Sequence, residues 1–119
     1  MITVIIDGNN VFRALGVWKD PAAEGFLQEL EMAAIEKDWQ VMVVFDGPAR
    51  YLPRETGPLI VQYGNGRQAD TLIERMVYES KDRFSVIVVT RDYSVADVAR
   101  GFGARSWLPE MLKQEINSK

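Results

Sequence analysis

The sequence predicts an α/β fold, a three-layer α/β/α sandwich in which a mostly parallel five-stranded sheet of order 3-2-1-4-5 lies between two layers of helices. Two observations carry this reading. Short apolar runs rich in β-branched residues alternate with segments whose apolar residues repeat at helical spacing, and that alternation calls for right-handed crossovers and a parallel sheet. The runs are apolar at successive positions, as strands buried on both faces are. At 119 residues, with 47% apolar and 26% charged residues, the chain is expected to form one domain over residues 1–119.

The first strand is Ile2 to Ile6, which stops at Asp7-Gly8-Asn9-Asn10, and Gly8 is expected to supply the turn that presents Asp7. Residues 11–17 are semi-apolar and read as a short helix or turn. Asp20-Pro21 starts a longer helix, Asp20 as N-cap and Pro21 at the first helical position. From there Ala23, Phe26, Leu27, Leu30, Ala33 and Ala34 share one helical face, which is core. Gln40 to Phe45 is the second strand and ends in Asp46-Gly47-Pro48, repeating the pattern of the first. Pro48 to Pro58 has neither period and reads as an irregular surface loop. Leu59 to Tyr63 is the third strand, Gly64 to Gln68 a turn, and Ala69, Leu72, Ile73, Met76 and Val77 mark a helix to Lys81 with Asp70 in its first turn. Phe84 to Thr90, the fourth strand, runs into Arg91-Asp92-Tyr93. Ser94 to Asp97 is a capping box opening a helix that Gly101 or Gly103 closes. Ala104 to Leu108 is a short fifth strand, and Pro109 starts a final helix with Met111, Leu112 and Ile116 facing inward.

Two absences narrow the chemistry. The chain has no cysteine and no histidine, which excludes thiol catalysis, thiolate zinc sites, Ser-His-Asp triads and every imidazole base. Carboxylates, amides, hydroxyls, lysine or a bound metal must do the work. A net charge of −3 argues against nucleic-acid binding through overall charge but leaves room for a local basic rim. No apolar run approaches the roughly 20 residues of a transmembrane helix, and no basic segment precedes the first apolar run, so a cytoplasmic protein with no membrane partner is expected.

Asp7, Asp46 and Asp92 each follow a buried strand, and Asp70 opens the helix after the third. Ligands of parallel sheets bind at the carboxyl ends of the strands, where these four carboxylates are expected to meet. A cluster of like charges disfavours joint ionisation, and a divalent cation is the usual remedy; oxygen-only ligands select Mg²⁺ or Mn²⁺. Aspartate is also favoured at helix caps and strand-ending turns, so position alone leaves the four divided between metal ligands and caps. Asn10 either caps its turn or orients a ligand, and Thr90 is a strand residue first and a support for a ligand second. Arg50, Arg54, Arg67 and Arg91 lie in loops expected at the acidic edge, either as solvated charges or as forks for phosphate. Tyr51 and Tyr93 are candidates for stacking on bases, although Tyr93 could equally pack beneath its loop.

The segments Ile-Ile-Asp7-Gly-Asn-Asn10, Val-Val-Phe-Asp46-Gly, Gln-Ala-Asp70-Thr-Leu-Ile and Val-Val-Thr-Arg-Asp92-Tyr occur in one order over nearly the whole chain. In that register the sequence resembles the bacterial YacP-like branch of the NYN domains, within the PIN-like nuclease superfamily. The resemblance implies a PIN-like fold and a Mg²⁺- or Mn²⁺-dependent endoribonuclease, with Asp7, Asp46, Asp70 and Asp92 at the acidic positions and Asn10 at the polar one. RNA, in some settings ribosome-associated, is the implied partner. Asn9 stands where the family often has tyrosine. The chain after Glu110 is expected to be shorter than in typical relatives, so substrate contacts that longer members make there are either missing or come from a second subunit or a partner.

Other classes fit less well. A haloacid-dehalogenase-type phosphatase needs an aspartate where Asn9 stands, and a response-regulator receiver needs one where the third strand ends in Tyr63-Gly64. The stronger rival is a non-catalytic RNA- or ribosome-binding module that keeps the PIN-like fold.

Overall fold

The structure, a computed structural model, describes residues 1–48, 54–55, 57–64 and 68–118. Five strands, β1 (Ile2–Asp7), β2 (Trp39–Phe45), β3 (Leu59–Tyr63), β4 (Val86–Val89) and β5 (Arg105–Trp107), pair in parallel in the order β3-β2-β1-β4-β5. The helices are α1 (Gly8–Ala14), α2 (Ala22–Lys37), α3 (Ala69–Glu79), α4 (Tyr93–Gly101) and α5 (Pro109–Asn117).

Period-2 alternation along each strand sends side chains to two cores. Val4 and Ile6 of β1, Val41, Val43 and Phe45 of β2, and Ile87 and Val89 of β4 pack with α1, α2 and Leu112 of α5. Ile5, Val44, Val86 and Val88 pack on the other face with α3 and α4. Both faces are therefore covered, the condition under which an all-parallel sheet reads as unbroken apolar runs.

The expected strands and helices are all present, with local differences, while the expected loop at 48–58 and turn at 64–68 lie in part outside the described residues. Gly8 is the first residue of α1, not a turn, and a Cβ there would lie 2.5 Å from the Phe45 ring and 2.9 Å from the Val44 carbonyl oxygen. Glycine is required for that close approach of helix to strand. The helix α2 begins one residue later than expected, with Pro21 at the cap, while Asp20 Oδ1 still accepts the Glu24 N–H at 3.3 Å. The fourth strand is shorter, because residues Arg83–Ser85 form a 3₁₀ turn that leaves Phe84 exposed. Ser94 is not the cap of α4: Asp92 is, its Oδ1 accepting the N–H groups of Ser94 at 2.9 Å and Val95 at 3.4 Å. The left-handed position after α4 falls on Gly103. Leu112 of α5 is fully buried, whereas Met111 is exposed, having rotated off the core face.

Candidate active site

The site is built where β1, β2 and β4 end. In β1, Ile5 faces the α3/α4 core, so Asp7, two residues on, starts from the same side. Ile5 pairs with Val88, and two residues further along each strand Thr90 comes opposite Asp7. The pairing appears as a buried hydrogen bond of 2.9 Å from Thr90 Oγ1 to Asp7 Oδ2. The same Thr90 hydroxyl oxygen accepts the Asp92 N–H at 3.0 Å, linking the β4–α4 loop to the Asp7 carboxylate.

Asp7, Asp46, Asp70 and Asp92 line one open cavity of about 350 Å³ together with Asn9, Asn10, Arg13 and Gln68. Each carboxylate has one oxygen tied to its own scaffold. Asp46 Oδ1 accepts the Ala69 N–H at the start of α3, Asp70 Oδ1 accepts the Thr71 N–H at 2.8 Å, and Asp92 caps α4. Among the described residues the second oxygen of each carries no hydrogen bond, which leaves four acceptors for a ligand. Burial pushes the Asp7 carboxyl from 3.8 up to about 6, the Thr90 hydroxyl pulls it down, and the charges of Asp46, Asp92 and Asp70 push it up.

The two asparagines act as clips. Asn9 Oδ1 accepts the Asp46 N–H at 2.9 Å, and Asn10 Oδ1 accepts the Arg91 N–H at 2.8 Å. The first turn of α1 thereby holds the loop carrying Asp46 on one side and the loop carrying Asp92 on the other. Asn10 caps no turn of its own.

An all-oxygen donor set with surplus negative charge suits a hard divalent cation such as Mg²⁺ or Mn²⁺. The side chains are not drawn into a finished cage: among the described residues, no group of three carboxylates is close enough to hold an ion as it stands. Donor chemistry thus fits, with one free oxygen on each of four carboxylates, and binding would require the side chains to close.

The basic residues divide. Arg54 lies between Glu24 and Glu31 of α2, 3.6 and 3.2 Å away, and its carbonyl oxygen accepts the Val61 N–H, so its fork is engaged away from the acidic cavity. Arg91 pairs with Glu110 of α5 beside the cavity. Arg50, Tyr51 and Arg67 lie outside the described residues. Sequence reading missed Arg13 and Gln68. Arg13 sits one turn after Asn10 on α1, with its guanidinium 4.4 Å from the Trp18 ring centroid. Its i, i+3 spacing from Asn10 was the available signal. A larger groove of about 530 Å³ between α2 and α5 shares no residue with this site.

The sequence profile of the YacP-like NYN domain matches residues 4–119. The chain belongs to that family. Two crystal structures of Rae1 (YacP) from Bacillus subtilis, one of a tryptophan-to-leucine mutant, are similar in fold. At 22% identity they superpose with TM-scores of 0.71 for the mutant and 0.70, covering 98% of this chain and 75% and 74% of theirs. Among curated proteins, none matches. In this YacP-like NYN domain the four aspartates occupy the carboxyl edge of a Rae1-like, PIN-type sheet. Among the described residues no helix is long and apolar enough to cross a membrane.

Proposed function

We propose that this YacP-like NYN domain is a Mg²⁺- or Mn²⁺-dependent endoribonuclease that hydrolyses RNA phosphodiester bonds at the four-aspartate cavity. The observation that supports it most is the gathering of carboxylates from four separate junctions around one cavity, each with an oxygen left over. The chain has neither cysteine nor histidine, and the cavity is lined by carboxylates, amides and one arginine, with no hydroxyl or lysine among its lining residues, so water is taken as the attacking group. What a bound Mg²⁺ or Mn²⁺ supplies is activation of that water for in-line attack and stabilisation of the leaving 3′ oxygen, giving 5′-phosphate and 3′-hydroxyl ends.

The residues would divide the remaining work. Asp7, Asp46, Asp70 and Asp92 hold the cation, with Asp7 fixed by Thr90. Asn9 and Asn10 keep the flanking loops in place. Arg13, at the cavity wall, is placed to meet a phosphate, and Arg91 can be released to one from Glu110, since exposed ion pairs are weak. Arg50, Arg67 and Tyr51 would make further strand contacts, whereas Arg54 is engaged by Glu24 and Glu31 away from the cavity. Cleavage of RNA with Mn²⁺ and with EDTA, in wild type and Asp7→Asn, tests the reading. Activity is expected with Mn²⁺ alone and to fall at least about a hundredfold in the variant; activity in EDTA, or an unaffected variant, refutes it.

A second reading, a non-catalytic RNA-binding module, has one observation in its favour, the lack of a preformed ion cage among the described residues. Calorimetric titration with Mn²⁺ separates the two, because only the nuclease needs to take up the ion.

A further inference from the structure

We propose that a second, smaller cavity beside the aspartates is a nucleobase pocket, which receives one base of a single-stranded RNA whose backbone passes through the acidic cavity. The proposal rests on the ribonuclease reading and adds how the strand is gripped. The cavity measures about 190 Å³ and lies between α4, β5 and the start of α5. Cofactor and drug sites usually run from about 300 Å³ upward, so this one is suited to a single ring system rather than to a whole nucleotide.

Its walls are mainly carbon, contributed by Ala96, Trp107, Leu108 and Met111. At its mouth Tyr93 is 76% exposed, and Leu108 and Met111 are each 44% exposed. Tyr93 therefore does not pack beneath its loop, and its ring is free to stack.

Two observations favour a base over an apolar peptide. The cavity shares Asp92 with the acidic cavity, and Thr90 in its wall donates a hydrogen bond to Asp7 Oδ2, so a group seated in it adjoins a strand passing the aspartates. Its polar rim is cationic as well. Arg91 reaches Glu110, and Arg100 reaches Asp97 and, at 2.5 Å, Ser106 Oγ. Both guanidiniums are about half exposed, where ion pairs are weak and a phosphate competes well. An apolar cavity with two weakly paired arginines at its rim and the acidic cavity next door fits a nucleotide strand.

The test measures binding of a fluorescein-labelled single-stranded RNA and of a base-free ribose-phosphate chain of equal length, with Ca²⁺ in place of Mn²⁺, so that the aspartate charge is compensated by a hard divalent cation while cleavage does not compete. Wild type, Tyr93→Ala and Ala96→Leu are compared, the last filling the cavity without removing a polar group. Both variants are expected to bind the RNA about tenfold more weakly than wild type, and all three proteins to bind the base-free chain alike. Because Tyr93 is exposed, its truncation spares the fold and carries the test if Ala96→Leu does not fold. Unchanged RNA affinity in Tyr93→Ala, or an equal loss on both polymers, overturns the pocket and leaves the nuclease reading standing. Failure of wild type to bind or cleave RNA at all overturns both.

Discussion

Asp7 carries the electrostatic load of the site. It is 7% exposed, and burial pushes its carboxyl from 3.8 to about 6 with help from three neighbouring aspartates. Between those two values the folded chain binds more protons than the unfolded one, so metal-free stability is greatest below the unfolded value and falls as pH rises through about 6. The loss at neutral pH is about 3 kcal/mol, a large share of the 5 to 15 kcal/mol by which such domains are stable. Asp7→Asn removes the charge and keeps an acceptor for the Thr90 hydroxyl. In EDTA the variant is therefore expected to resist urea better than wild type at neutral pH and to show no such advantage at about pH 4. Equal stability at both pH values would mean that the buried charge imposes no strain. The position of Asp7 was legible in the sequence because an apolar run ends on it. Its coupling to Thr90 was not, since that depends on the register of two strands far apart in the chain.

At the scale of elements, α1 does more than its seven residues suggest. Gly8 lets the helix start against Phe45, and Asn9 and Asn10 reach out to two loops. Sequence reading took Gly8 for a turn residue and gave Asn9 no role beyond excluding a phosphatase. The helix starts immediately after the strand, so its first turn falls between the two acidic loops, a fact set by packing and not by local propensity. Arg13 reaches the cavity for the same reason, from a short helix and not from a loop. The sequence points to Asp92 as a candidate site residue and puts the cap of α4 at Ser94, two positions later than Asp92, which is the cap in the structure. If the clips matter to the site, Asn9→Ala should lower Mn²⁺-dependent RNA cleavage about 10- to 100-fold, the usual effect of removing a residue that orients a ligand. Stability should change by less than about 1 kcal/mol, because Asn9 is only half-buried. A parallel loss of melting temperature and activity would instead make Asn9 a structural prop.

The whole molecule explains why so much of the topology could be read. Strands buried on both faces by helices are unambiguous apolar runs, and the 3-2-1-4-5 order is one of the doubly wound orders that such runs adopt. The degree to which side chains converge at the edge is another matter, since it turns on rotamers and on charge that repels. Each of the four carboxylates is tied by a hydrogen bond to its surroundings. An ion that bridges them joins the ends of β1 and β2 to the starts of α3 and α4, and so binds the folded chain and not the unfolded one. At a hundredfold excess over its dissociation constant, such a ligand adds about 2.7 kcal/mol of stability. Urea denaturation of wild type in Mn²⁺ is expected to show that gain, and Asp7→Asn, lacking the ligand at the centre of the set, to show little of it. The stability advantage of the variant in EDTA should therefore shrink or reverse when Mn²⁺ is added. An equal Mn²⁺ shift in both proteins would place the ion elsewhere on the acidic surface and remove Asp7 from the site.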